Sequence, residues 1–192
     1  MMVGDMSDAR PTSIWTIGHS TRPIAVFLFL LRSCAIEVLA DVRRFPASRK
    51  FPQFNRDALR EALTAAGIEY MEFPELGGRR RARKDSRNTR WRDAGFRGYA
   101  DYMETEAFQA GISRLLGIAG ARRTAFLCAE AAWQRCHRSL ISDYLKVLGV
   151  EVVHILDDGE TEVHPYTSAA RIVDGRLSYA DGPSHADGRE AE

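Results

Sequence analysis

Apolar segments of strand length alternate with segments of helical periodicity through most of the chain, and this alternation restricts the fold more than any other feature. Strand-like runs occupy residues 14–19, 37–43, 68–73, 123–128 and 151–156. The segments between most of them repeat apolar residues every three to four positions, as an amphipathic helix does. This pattern predicts an α/β fold, Rossmann-like, with one mainly parallel sheet of about five strands flanked by helices.

The 192 residues, 45% of them hydrophobic, fit a single domain. We expect this domain to span residues 13–180, with disordered segments at 1–12 and 181–192. Residues 77–95 lack apolar periodicity and are predicted to form an arginine-rich loop or mobile arm. A small C-terminal hairpin is expected to turn at Asp174-Gly175.

Charge and cysteine content limit the classes of protein to consider. The net charge is +1, so the chain is not a polycation that coats nucleic acid indiscriminately. Three cysteines leave one unpaired under any single disulfide, as is typical of a reducing compartment. No apolar run reaches the length of a membrane span, and the first residues lack a signal-peptide core. We therefore expect a cytoplasmic protein that has no membrane partner, and make no prediction about its oligomeric state.

Polar residues follow three of the predicted strands. The strand ends are Gly18-His19-Ser20, Asp41-Val42-Arg43 and Cys128-Ala129-Glu130. Carboxyl ends of parallel strands meet at one edge of the sheet, where α/β proteins build their sites. The sequence therefore predicts that these side chains converge.

Two carboxylates are candidate catalytic groups. Asp41 belongs to a buried strand, where an isolated carboxylate would be costly. It either forms a structural ion pair with Arg43 or Arg138 or takes part in function. Glu130 could act on water as a general base, or could instead cap the following helix. His137 and Arg138 fall in the first turn of that helix, which favours an anion such as phosphate.

The cysteines allow several readings. Cys128 ends a strand, as in cysteine phosphatases and sulfurtransferases, but Gln134 stands where the phosphatase loop has its arginine. Cys128, Cys136, His137 and His19 could also bind zinc, yet their spacing matches no familiar ligand pair. Buried, unreactive thiols are the more common outcome. We therefore expect neither a metal nor another cofactor.

The arginine-rich segment indicates a partner. Its basic residues, and a tryptophan that could stack on a base, are Arg79, Arg80, Arg81, Arg83, Lys84, Arg87, Arg90 and Trp91. Arginine interleaved with an aromatic ring favours nucleic acid. A solvated surface loop is the alternative.

Six ordered motifs resemble the domain of unknown function 488 family over roughly residues 14–156. They are Thr16-Ile-Gly-His-Ser20, Asp41-Val-Arg-Arg-Phe-Pro-Ala-Ser48, Leu76-Gly-Gly78, Tyr99-Ala-Asp-Tyr-Met103, Leu127-Cys-Ala-Glu130 and Cys136-His-Arg138. The resemblance implies a parallel α/β domain with these residues around a common pocket. Carried over motif by motif, the substrate-binding candidates are Ser20, Arg43, Ser48, Gly77, Gly78, Cys128, His137 and Arg138.

From these features we expect a nucleic-acid-processing enzyme, with DNA favoured as its partner. The expected reaction is hydrolysis of a base or sugar linkage, as in a DNA glycosylase, rather than phosphodiester cleavage. Asp41 or Glu130 would activate water or stabilise a cationic sugar, and His19 would contact the leaving base. The alternatives are a hydrolase or transferase of a small phosphorylated metabolite and a non-catalytic nucleic-acid-binding module.

Overall fold

The computed structural model describes residues 11–181, and its centre is a six-stranded sheet. The strands are β1 (Ser13–Gly18), β2 (Val38–Asp41), β3 (Glu69–Glu72), β4 (Thr124–Cys128), β5 (Glu151–Ile155) and β6 (Thr161–Val163), in the spatial order β3-β2-β4-β1-β5-β6. The first five are parallel, and β6 pairs antiparallel with β5. The predicted α/β class and mainly parallel sheet are confirmed.

Five helices cover the two faces of the sheet. They are α1 (Ile24–Ser33), α2 (Arg56–Ala65), α3 (Ala94–Met103), α4 (Glu106–Ala121) and α5 (Arg138–Val147). One buried apolar cluster joins the sheet to α1 and α2 and includes Phe27 and Leu59. The other joins it to α3, α4 and α5 and includes Phe126 and Ile141. Near-continuous apolar strands are explained by this burial on both faces.

The sheet order places three strand ends side by side. The chain leaves β1, forms β2 and β3, and then returns to insert β4 between β1 and β2. The carboxyl ends of β2, β4 and β1 are therefore neighbours, as the sequence predicted.

Two smaller elements complete the fold. The predicted hairpin is confirmed as β7 (Arg171–Val173) and β8 (Arg176–Ser178). Its turn residues Asp174 and Gly175 have φ of 49° and 72°, as a tight two-residue hairpin turn requires. The sixth strand of the main sheet was not predicted, because three partly exposed residues give no apolar run.

The predicted disordered segments lie outside the described residues, apart from positions 11, 12 and 181. Pro11 is buried, and the Thr12 carbonyl accepts a hydrogen bond from the Glu151 N–H. These two residues therefore contact the domain, whose predicted start is residue 13. Within residues 11–181, no helix is long and apolar enough to cross a membrane.

Candidate functional site

A cavity of about 490 Å³ opens at the carboxyl edge of the sheet. It lies beside the end of β4 and the start of α5, and α3 contributes Phe96 and Tyr99 to its wall. This volume falls within the range of roughly 300–1,000 Å³ that is usual for small-molecule sites.

Two thiols and an imidazole lie together in this cavity, and we call them the thiol–imidazole cluster: Cys128, Cys136 and His137. The His137 Nδ1 lies 3.7 Å from the Cys128 Sγ and 3.6 Å from the Cys136 Sγ. The other ring nitrogen, Nε2, is 3.1 Å from the Val42 carbonyl oxygen, which can only accept. In the neutral ring, Nε2 therefore carries the proton and Nδ1 offers a lone pair to the sulfurs.

Each thiol affects the ionisation of the other. The hydrogen bond with Cys136, together with burial, raises the pKa of Cys128 well above its ordinary value. Burial opposes ionisation of Cys136, but the Cys128 hydrogen bond and His137 lower the pKa of Cys136 well below its ordinary value. The surroundings of the two thiols therefore shift their pKa values in opposite directions.

Two glycines make room for this arrangement. A Cβ at Gly78 would lie 2.9 Å from the His137 Nδ1, and one at Gly77 would lie 2.8 Å from the Arg44 Cβ. Side chains at these positions would press on the cluster and on the neighbouring loop. The glycine pair of the predicted site thus allows close backbone approach.

Six residues with charged side chains line the cavity, and we call them its rim. They are the arginines Arg43, Arg44, Arg79 and Arg135 and the acids Glu130 and Asp93. Asp93 is occupied in capping α3, where it accepts hydrogen bonds from the backbone N–H groups of residues 95 and 96. The Glu130 carboxylate makes no hydrogen bond or ion pair with any residue of the described chain.

Phe45 adds an exposed ring to this rim. Its side chain is 64% exposed, and the Arg44 guanidinium lies 5.6 Å from the ring centre. Arg44 also donates to the Arg79 carbonyl at 3.0 Å. An exposed ring beside a guanidinium group offers a stacking surface for a planar ligand.

Arg138 does not line the cavity. It is 1% exposed, and donates from Nη1 to the Thr16 hydroxyl and from Nη2 to the carbonyls of Glu130 and Ala131. This guanidinium fixes the loop after β4 against β1. The contact of Arg138 with substrate, which the family resemblance implied, stays a prediction.

Asp41 and Arg43 form a buried ion pair, one of the alternatives that the sequence left open. The Asp41 carboxylate accepts from the Arg43 Nε at 2.8 Å, from Nη2 at 2.5 Å and from the Tyr70 hydroxyl at 2.7 Å. Asp41 is 1% exposed and Arg43 is 8% exposed. Asp41 therefore acts on the cavity only through Arg43.

His19, Ser20 and Ser48 lie outside the cavity lining. The His19 ring stacks on Phe54 at 4.2 Å, and burial lowers the pKa of His19 to about 4. Ser20 has a φ of 52°, and its carbonyl oxygen is 2.8 Å from the His19 Nδ1. The Ser48 hydroxyl accepts from the Phe51 N–H. The predicted convergence of all strand-end residues on one pocket is therefore only partial.

The arginine-rich segment folds against the domain. The Asp101 carboxylate accepts hydrogen bonds from the Arg83 N–H, the Ser86 hydroxyl and the Asn88 amide. A Cβ at Gly98 would clash with the Arg80 carbonyl oxygen, so the segment passes directly over α3. Of the two alternatives that the sequence left open, a loop or a mobile arm, these contacts agree with a loop packed on the domain.

Several side chains of this segment are used internally. Arg80 lies over the Tyr102 ring at 3.6 Å, Arg83 pairs with Glu104, and Arg90 donates to two backbone carbonyls. The Trp91 ring stacks on Phe96 and packs on the core, so it does not offer the predicted free stacking face. The basic residues of this segment that stay exposed are Arg79, Arg81, Arg83, Lys84, Arg87 and Arg92.

Some of the predicted site residues line the cavity, and the others do not. Those that line the cavity are Arg43, Gly78, Arg79, Cys128, Glu130 and His137. Sequence reasoning did not select two further lining residues, Phe96 and Arg135. Tyr99, which was noted as part of a family motif, also lines the cavity.

A second buried polar network was also missed. Asp143 accepts from the His164 Nε2 at 3.0 Å, and the His164 Nδ1 lies 2.9 Å from the His154 Nε2. The Trp133 ring stacks on His154 at 4.4 Å. This hydrogen-bond network lies apart from the cavity lining and connects α5 to β5.

A parallel, doubly covered sheet with a polar cavity at its carboxyl edge is typical of α/β proteins that bind a ligand at this edge. The chain belongs to the family described as domain of unknown function DUF488, whose profile matches residues 23–145. The matched range contains five of the six motifs noted in the sequence and begins after Ser20. Comparisons with curated proteins and with solved structures gave no match.

Proposed function

We propose that this protein is a hydrolase acting on a base–sugar linkage in nucleic acid, with DNA as the favoured substrate. The observation that carries the proposal is the Glu130 carboxylate, which pairs with no residue in 11–181 and lies on a rim whose other charged groups are chiefly arginines. Phosphates on either side of the target nucleotide would pair with Arg44, Arg79 and Arg135.

The base would enter the cavity beside Phe45. Enzymes that act on a base must take it out of the helical stack, and an exposed aromatic ring stabilises the extruded base. The cavity volume suits one nucleoside unit. The exposed Arg81, Lys84 and Arg87 extend the positive surface along which the backbone would run.

Glu130 would serve as the general base. It would take a proton from water while the water oxygen bonds to the anomeric carbon of the sugar. The bond from that carbon to the base nitrogen breaks, its electron pair stays with the nitrogen, and the nitrogen takes up the proton. Asp41 is a positioning residue in this scheme, because it fixes Arg43 at the cavity wall.

We propose that the protein is located in the cytoplasm. Its cysteines Cys34, Cys128 and Cys136 are all free thiols, as is typical of a reducing compartment. A second candidate function is a hydrolase or transferase of a small phosphorylated metabolite. The limited volume of the cavity supports that alternative.

The test is a panel of oligonucleotides that carry modified or damaged bases, scored for base release and for strand cutting. Glu130→Gln is expected to slow base release by about 10²- to 10⁴-fold, the usual contribution of a general base, with oligonucleotide binding nearly unchanged. Glu61→Gln is the matched control, because Glu61 is an exposed acid on α2. Absence of base release across the panel, or full activity of Glu130→Gln, contradicts the proposal.

A further inference from the structure

The thiol–imidazole cluster contains the ligand atoms of a metal site. The two Sγ atoms and the His137 Nδ1 all lie within 4.8 Å of one another. Zinc in proteins favours sulfur and nitrogen ligands in a tetrahedral arrangement. Bonds of about 2.3 Å to sulfur and about 2.0 Å to nitrogen hold those atoms about 3.5 Å apart. The observed separations of 3.6 and 3.7 Å agree with that arrangement.

The backbone holds all three ligands on ordered elements. Cys128 is the last residue of β4, and His137 immediately precedes α5. The Cys136 N–H donates to the Trp133 carbonyl, and Arg138 ties the intervening loop to β1. The ligands therefore need little rearrangement to receive an ion.

The hydrogen-bond partner of His137 favours its metal-binding form. The Val42 carbonyl accepts from Nε2 and leaves the His137 Nδ1 unprotonated, as a carbonyl partner does for a metal-bound histidine. Both cysteines would bind a divalent ion as thiolates.

We propose that Cys128, Cys136 and His137 bind one zinc ion, with a fourth coordination position open to the cavity. Three protein ligands and one open position are the arrangement of catalytic rather than structural zinc sites. All three ligand residues line the cavity, and Gly78 has no side chain beside Nδ1. The metal site is independent of the proposed function, and only its role in binding the attacking water depends on that function.

Metal content of the purified full-length chain is the first test. Protein produced in zinc-containing medium and purified without chelator is expected to hold about one zinc per chain, as measured by inductively coupled plasma mass spectrometry. Cobalt substitution is expected to give thiolate-to-cobalt charge-transfer absorption together with the visible bands of a tetrahedral ion. The wild-type spectrum needs no variant and so does not depend on whether a variant folds.

Variants then locate the site. Cys128→Ser, Cys136→Ser and His137→Ala are each expected to lower the zinc content at least tenfold, while the control Cys34→Ser retains it. Circular dichroism identifies any variant that has not folded. A wild-type chain that takes up neither zinc nor cobalt, or that contains a Cys128–Cys136 disulfide under reducing purification, overturns the proposal.

The two proposals can fail separately. A chain that binds one zinc but releases no base from any oligonucleotide keeps the metal site and loses the proposed function. A metal-free chain that releases base loses the metal site and keeps the function.

Discussion

Asp41 and Cys128 lie at the ends of neighbouring strands but face opposite sides of the sheet. Asp41 pairs in register with Leu127, so Cys128, one residue later, points to the other face. Asp41 therefore faces the α2 side and Cys128 the α3 and α5 side. Arg43 contacts both environments, because it pairs with Asp41 and also lines the cavity.

This arrangement predicts a large stability effect at Asp41. Asp41→Asn removes the charge that compensates the buried Arg43 guanidinium, and breaking such a pair typically costs about 3–5 kcal/mol. Urea denaturation measures the loss in the free energy of unfolding. The exposed pair of Asp57 with Arg60 provides the control, where Asp57→Asn should change stability by less than about 1 kcal/mol. Equal effects of the two substitutions would contradict the assigned role of the buried pair.

Binding of single-stranded DNA should depend on the arginine rim. Arg44→Gln and Arg79→Gln are each expected to weaken binding and to lower the slope of log K against log salt by about 0.7, the contribution of one phosphate contact to a single strand. Fluorescence anisotropy at several salt concentrations gives this slope. Arg32→Gln, at the exposed end of α1, should leave it unchanged. A slope near zero for the wild type would instead favour the small phosphorylated metabolite.

The sequence predicted the centre of the sheet well because β1, β2 and β4 are buried on both faces and are therefore mostly apolar. It predicted which residues follow the strand ends, but it did not show on which face each one lies. A register shift of one residue reverses the face, and register cannot be read from Asp41 or Cys128 alone.

The packing of the arginine-rich segment could not be predicted, for a different reason. Its charges were visible in the sequence, but their internal partners Asp101, Glu104 and the Ser168 and Ala169 carbonyls are distant along the chain. The sequence grouped Cys128, Cys136 and His137 as possible zinc ligands, but it could not give the distances between their side chains. Cys128 and Cys136 are separated by a loop whose path, fixed by Arg138, determines whether their sulfurs meet.

Two glycine substitutions should have effects of opposite sign. Gly78→Ala places a methyl group 2.9 Å from the His137 Nδ1, and such overpacking typically costs about 1–3 kcal/mol. Gly117 lies in α4 with nothing within 4 Å of an added Cβ, so Gly117→Ala should stabilise the protein by about 0.5–1 kcal/mol. Thermal denaturation compares the two. A neutral Gly78→Ala would mean that His137 moves aside freely.

Buried His154 should make stability depend on pH. Burial, with His164 and Arg138 nearby, lowers the pKa of His154 from 6.5 to about 2. Below pH 6.5 the unfolded chain therefore takes up a proton at this residue that the folded chain does not. The resulting stability is complete above this pH and is lost as the pH falls, by about 1.4 kcal/mol per pH unit.

His154→Gln isolates this contribution from that of the carboxylates. Between about pH 6.5 and pH 4, the free energy of unfolding of the wild type should fall more steeply than that of the variant. The difference in slope should be about 1.4 kcal/mol per pH unit, which corresponds to one proton. Above pH 7 the two curves should run parallel, offset by the lost hydrogen bond to His164. Chemical denaturation across this range measures both slopes. Parallel curves throughout would show that His154 is protonated as readily in the folded protein as in the unfolded chain, contrary to its burial beneath Trp133.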